Sequence, residues 1–153
     1  MREIQTRVLI DSSPAVVWGI LTDLRNYPAW NPFIPEAVGE VTPGAALRIL
    51  IRPPGEPAQK YRVRVLAVEP ERRFRWLGHF HVPGLIDGDH VFEIHSSAPG
   101  RTEVVQRETF RGVLVPLVWK SFLDTKLRAG FEALNGSLKA AAERAAKAGG
   151  SVG

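Results

Sequence analysis

The chain has 153 residues, a formal net charge of +4 at pH 7 and no cysteine. One domain of this length buries roughly 70% of the surface its unfolded form exposes, so it needs no staple, and the missing cysteine excludes disulfides, thiolate nucleophiles and cysteine-ligated zinc. The segment Met1-Arg2-Glu3-Ile4-Gln5-Thr6-Arg7 lacks the apolar core of a secretory signal, and no window approaches the ~20 apolar residues of a membrane span, so a cytoplasmic protein without stable membrane insertion is expected.

Ile4, Thr6, Val8 and Ile10 alternate with Glu3, Gln5, Arg7 and Leu9, which predicts a first strand with one mostly apolar face. Asp11-Ser12-Ser13-Pro14 stops it. Ser13 is placed to cap a helix whose first position is Pro14, where the missing N–H costs nothing. That helix carries Val17, Ile20, Leu21 and Leu24 on one side. Tyr27-Pro28 and Asn31-Pro32 then break helical continuity, leaving a short second helix or turn around Trp30. A meander follows over 36–41, 46–52, 60–69, 73–80, 88–96 and 101–111, punctuated by Pro43-Gly44, Pro53-Pro54-Gly55, Pro70-Glu71 and Ala98-Pro99-Gly100. Tyr61, Val63, Val65 and Ala67 should share one inward face, as should Phe74, Trp76 and Phe80. From Pro116 the period lengthens to about 3.6, with Leu123, Leu127, Phe131, Leu134, Leu138, Ala142 and Ala145 along one side of a long helix. Residues 1–148 are expected to form a single domain and 149–153 a disordered tail.

Val17-Trp18, Leu21-Thr22-Asp23, and the run Tyr27-Pro28-Ala29-Trp30-Asn31-Pro32-Phe33 resemble the polyketide cyclase/dehydrase branch of the SRPBCC superfamily, to which START domains and birch-pollen-allergen-like proteins belong. Gly88-Asp89-His90-Val91-Phe92, Arg101-Thr102-Glu103-Val104 and Glu108-Thr109-Phe110-Arg111-Gly112 extend the likeness. The resemblance implies an α+β helix-grip fold: a seven-stranded curved antiparallel sheet wrapped on the C-terminal helix, enclosing a pocket for an apolar ligand. It does not imply one chemistry, because the superfamily holds carriers as well as enzymes.

The last two strands make a geometric claim. If the Ala98-Pro99-Gly100 turn pairs Ser97 with Arg101, then His90 lies opposite Glu108, Phe92 opposite Gln106 and Ile94 opposite Val104; a register two residues away sets His90 against Gln106. Either way His90, Gln106 and Glu108 form a polar cluster on the concave face beside Phe92 and Phe110. A histidine fixed by a carboxylate serves as general acid or base, and equally well as a hydrogen-bonding anchor for a ligand's polar end. Trp30, Asn31 and Phe33 should sit near the cavity mouth, where Asn31 either bonds a ligand or closes its own turn. Trp76, Phe80, Trp119 and Phe122 are candidates for apolar lining.

His79 and His81 alternate near a strand end and His95 faces away from His90, but no carboxylate at strand spacing completes a metal site, and none is expected. Phosphate loops, nucleophile elbows and His-Glu-x-x-His sequences are missing, so no cofactor is expected either. Arg48, Arg52, Arg62, Arg64, Arg73 and Arg75 point to a basic convex face. It lacks aromatics for base stacking, so nucleic acid is not an expected partner, and no protein partner is specified. The preferred reading is a binding protein for a hydrophobic small molecule, such as a lipid or polyketide. The alternatives are a cyclase or dehydratase in which His90 and Glu108 transfer a proton, and a partner-regulating module with a filled core acting through its convex face.

Overall fold

The computed structural model describes residues 1–150. Strand β1 (Arg2–Ile10) leads into helix α1 (Pro14–Thr22), a 3₁₀ turn (Leu24–Asn26) and the single turn α2 (Tyr27–Trp30). Strands β2 (Glu36–Val38), β3 (Ala46–Ile51), β4 (Gln59–Glu69), β5 (Arg73–His79), β6 (Asp87–Ala98) and β7 (Arg101–Arg111) follow. The chain ends with α3 (Val115–Val118), a π-helical segment (Trp119–Leu127) and the long helix α4 (Arg128–Gly150). The seven strands form one antiparallel sheet in the order β1-β7-β6-β5-β4-β3-β2. This is the expected helix grip.

Local chemistry accounts for the start of α1. Ser13 Oγ accepts from the N–H of Val16 at 3.2 Å, satisfying one of the orphan donors, and Pro14 occupies the first turn. Val17 and Leu21, one turn apart, are fully buried, and so is the Tyr27 ring, whose hydroxyl donates to the Leu21 carbonyl at 2.5 Å. On α4, Phe131, Leu134, Leu138 and Ala142 are buried on the face that meets β1 and α1. Each of the three large side chains stabilises the grip by about 1.5–3 kcal/mol, an upper bound because unfolded chains already hide some surface. Polar ties fix the helix along the strand: Arg128 donates to the Gln5 carbonyl and Lys139 to the Leu9 carbonyl. Between helix and sheet, Asn135 donates to Thr6 Oγ1 at 2.9 Å and Gln106 donates to Asn135 Oδ1 at 2.9 Å, a buried chain that sets the helix register.

Several expected details differ. The second strand ends at Val38, not residue 41, because Gly39 turns the chain at φ 140° hard against Leu47. A bulge between Val65 and Ala67 rotates Ala67 to the convex face opposite Arg75, and Val68 takes the inward place opposite Phe74. Strand β5 stops at His79, leaving Phe80 in the following loop. Ala145 is exposed. The helix after Pro116 is not uniformly α: its π turn aligns Val118, Phe122, Leu123 and Leu127, at spacings of four and five, on one side. Of the tail expected to be disordered, Gly149 and Gly150 belong to α4, and 151–153 lie outside the described residues.

Candidate functional site

Alternation along β3 to β7 aims Ile49, Val63, Trp76, His90 and Phe110 at the space under the helices. Two adjacent rungs of the ladder run across the sheet there. One joins Val65, Trp76, His90 and Glu108; the next joins Val63, Gly78, Gly88 and Phe110. Two opposed glycines on the second rung leave the floor without side chains, and the space above them is a cavity of about 390 Å³. That volume lies within the ~300–1,000 Å³ typical of small-molecule sites. Phe33, Trp76, Phe80, Phe110, Phe122 and Leu127 supply apolar wall, and the polar residues on the sheet side are Gln59, Tyr61 and His79 together with the pair His90 and Glu108.

The expected register between the last two strands is observed: His90 opposes Glu108, Phe92 opposes Gln106 and Ile94 opposes Val104. The turn differs in detail, since Ala98 pairs with Arg101 and Ser97 is bulged out. His90 is 3% exposed, and its Nδ1 lies 3.1 Å from Glu108 Oε2. Its ring stacks on Trp76 at 4.9 Å and meets the edge of Phe131 at 5.0 Å, so packing fixes both planes of the imidazole. Nε2 is buried with no partner among the described residues. Glu108 leans across to the glycine rung: a Cβ added at Gly88 would stand 2.3 Å from Oε1. Gly88 therefore makes room for the carboxylate. Tyr61 also lines the cavity; burial first, and then the charge of Glu108, pushes its phenol above the usual range, and its hydroxyl donates to Gln59 Oε1 at 3.0 Å.

Seven of the candidate residues thus border the cavity: Phe33, Trp76, Phe80, His90, Glu108, Phe110 and Phe122. Five do not. Asn31 closes its own turn, its Oδ1 accepting from the N–H groups of Phe33 and Ile34 at 3.1 and 2.8 Å. Trp30 packs edge-on against Tyr27 at 5.3 Å. Phe92 faces inward as expected but is fully covered, sandwiched among Phe74, Trp76 and His90. Gln106 belongs to the buried chain with Asn135 and also donates to the Phe131 carbonyl. Trp119 packs against Phe110 beneath the guanidinium of Arg2. Phe33 reaches the wall because Gly130 of α4 lets its ring lie flat against the helix, where a Cβ would stand 2.6 Å from it.

Sequence reasoning missed the glycine pair, the π-helical wall and a latch at the edge: Glu56, in the loop after β3, is paired with Lys126 of the π segment at 2.8 Å. The two glycines were the available signal, since glycine inside a strand marks close approach or room for a ligand. His79 and His81 do not converge. His79 Nδ1 lies 2.7 Å from Asp87 Oδ1, whereas His81 is exposed at φ 64°. The convex basic face is smaller than expected: Arg75 is paired with Asp89 and Arg73 with Glu69, and Arg52 lies beyond β3. No helix among the described residues is long and apolar enough to cross a membrane.

A family model described as polyketide cyclase / dehydrase and lipid transport matches residues 1–143. No curated protein matches the chain. Among solved structures, the Zhui aromatase/cyclase from Streptomyces sp. R1128 is similar over 94% of this chain and 94% of its own, at 17% identity and a TM-score of 0.77. TTHA0849 from Thermus thermophilus is similar over 94% and 99%, at 15% identity and a TM-score of 0.74. A START superfamily protein from Mycobacterium smegmatis is similar over 90% and 97%, at 18% identity and a TM-score of 0.66. At these identities the likeness is one of fold.

Proposed function

The chain belongs to the polyketide cyclase / dehydrase and lipid transport family, and we propose that it binds a hydrophobic small molecule, of the lipid or polyketide kind, between the sheet and the helices. The cavity of about 390 Å³, apolar except for a few polar groups, carries this reading. Apolar surface moved there from water gains roughly 25 cal/mol per Å², and a convergent polar pair orients the ligand's polar end. A filled core, as an interaction module acting only through its outer face would have, is opposed by the same cavity. The test is native mass spectrometry of freshly purified protein, followed by titration with the uncharged fluorophore N-phenyl-1-naphthylamine. A co-purified apolar compound and saturable emission are expected; no bound compound and no emission gain would overturn the reading.

One observation favours a second reading, a cyclase or dehydratase. Glu108 holds Nδ1 of His90 and leaves Nε2 unpartnered, the arrangement in which a carboxylate fixes the tautomer of a general base. The cavity would then fold a reactive chain, and proximity would lower the barrier by up to ~7–11 kcal/mol. Under that reading His90→Ala and Glu108→Gln lower turnover by ~10²- to 10⁴-fold while binding persists. For a carrier the ligand is recovered unchanged from wild type and variants alike.

A further inference from the structure

We propose that the polar end of the ligand is an uncharged hydrogen-bond donor, a phenol or alcohol, taken up by the free oxygen of Glu108, and that the cavity rejects carboxylates, phosphates and other anions. This rests on the ligand-binding reading above and adds the chemical class of the head group.

The charges around the cavity carry the inference. Glu56 and Glu108 line it, and among the described residues neither lysine nor arginine does. Glu56 is answered from outside the lining by Lys126. Glu108 has only His90, and only through Oε2; among the described residues Oε1 makes no hydrogen bond. That oxygen lies over Gly88, on the side-chain-free floor. Elsewhere along the lining only Gln59, exposed at the start of β4, keeps a free amide N–H among the described residues. Tyr61 gives its proton to Gln59, and His79 is engaged with Asp87. The backbone N–H groups of the central strands are committed to the ladder. What remains beside the side-chain-free floor is acceptor: Glu108 Oε1, while Nε2 of His90, though unpartnered, is covered. A donor fits that set.

An anion does not. Its entry would strip water from one charge and set it beside a second of the same sign, with no lysine or arginine among the described lining residues to repay the cost. The field of Glu108 extends beyond its own strand, since it contributes to raising Tyr61 on β4. A ligand with a carboxylate would have to bind protonated or stay out.

Three probes on one skeleton test this with the full chain: naphthalene, 2-naphthol and 2-naphthoate, titrated calorimetrically at pH 7.5 against wild type and Glu108→Gln. In wild type, 2-naphthol is expected to bind about tenfold or more tighter than naphthalene, the scale of a hydrogen bond to a charged acceptor, and 2-naphthoate at least tenfold weaker. In Glu108→Gln the naphthoate-to-naphthalene ratio of dissociation constants should fall at least tenfold. Wild type that binds naphthoate as tightly as naphthol overturns the proposal, whatever the variant does. So does a ratio unmoved by Glu108→Gln. Failure of naphthalene itself to bind overturns the cavity reading beneath it, a result distinct from a lost preference among probes that bind.

Discussion

Adding one methyl group at Gly88 tests the site without replacing either member of the polar pair. The new Cβ would stand 2.3 Å from Glu108 Oε1 and 3.3 Å from its Cδ, so the carboxylate must retreat by about 1 Å to regain ordinary contact. It is the end of a flexible side chain, so the carboxylate moves and the strand stays. Gly88 is outside the positive-φ set, and alanine is compatible with its backbone. The retreat pulls Oε2 from His90 Nδ1, now at 3.1 Å, and strands a donor on a residue that is 3% exposed. A buried group left unpaired costs about 1–3 kcal/mol, and alanine returns about 0.4–1 kcal/mol by restricting the unfolded chain. Gly88→Ala should therefore lose about 0.5–2 kcal/mol, a Tm drop on the order of 2–6 °C for a chain of this size. Affinity for 2-naphthol should fall at least tenfold, and ¹⁵N NMR should show the His90 tautomer no longer fixed. Gly78→Ala is the control, because its Cβ meets Val63 Cγ1 at 2.9 Å and not the carboxylate. It should narrow the cavity yet keep the His90 tautomer. If Gly88→Ala leaves the tautomer and the naphthol affinity at wild-type values, the claim that this glycine seats Glu108 is wrong.

Gly112→Ala should be the costliest glycine substitution, because φ 134° is combined with a Cβ only 2.2 Å from the Leu85 carbonyl oxygen; we expect a loss of more than about 2 kcal/mol in urea melts, and a change below about 0.5 kcal/mol would contradict it. Asn135→Ala removes the donor to Thr6 and the acceptor for Gln106, so about 2–4 kcal/mol should be lost, with Thr6→Val partly rescuing it in a double-mutant cycle. Burial first, and the charge of Asp23 second, hold the Tyr27 phenol far above its usual pKa. The folded state then keeps a proton that the unfolded chain releases at about pH 10, so this contribution is intact below pH 10 and is lost as pH rises beyond it. Tyr27→Phe should flatten the alkaline fall in a pH series of melts; an unchanged slope would assign that fall to other groups.

How much of this was legible in the sequence varies with distance along the chain. Ser13-Pro14 and the alternation of β1 are local signals, and the structure follows them closely. The pairing of His90 with Glu108 was readable for a different reason: one tight turn at Pro99-Gly100 fixes the register of both strands, and the bulge at Ser97 absorbs the odd residue. No such constraint announces the bulge at Ala67, which depends on how β5 lies against β4. Period-two patterning says which face a side chain takes, but not how deep it lies beneath its neighbours. Phe92 and Trp76 share the concave face, yet the first is sealed among aromatic rings and the second borders open space. Asn31 closes its own turn and does not border the cavity, because that turn offers two N–H donors at hydrogen-bonding distance.

The cavity itself depends on what is missing from one rung. Val63, Gly78, Gly88 and Phe110 lie side by side across four strands, and the two central members carry no side chain. Larger residues there would fill the space, as Phe74 and Phe92 fill it farther along the same two strands. A carboxylate leaning from the neighbouring rung then occupies part of the vacancy and sets its polarity. Volume and polarity are thus coupled through Gly88: the residue that opens the floor is also the one that admits Glu108. A substitution made to reshape the cavity at that position cannot leave its chemistry alone, whereas the wall opposite, built from the π segment, can be recontoured through Phe122 or Leu127 with the polar pair undisturbed.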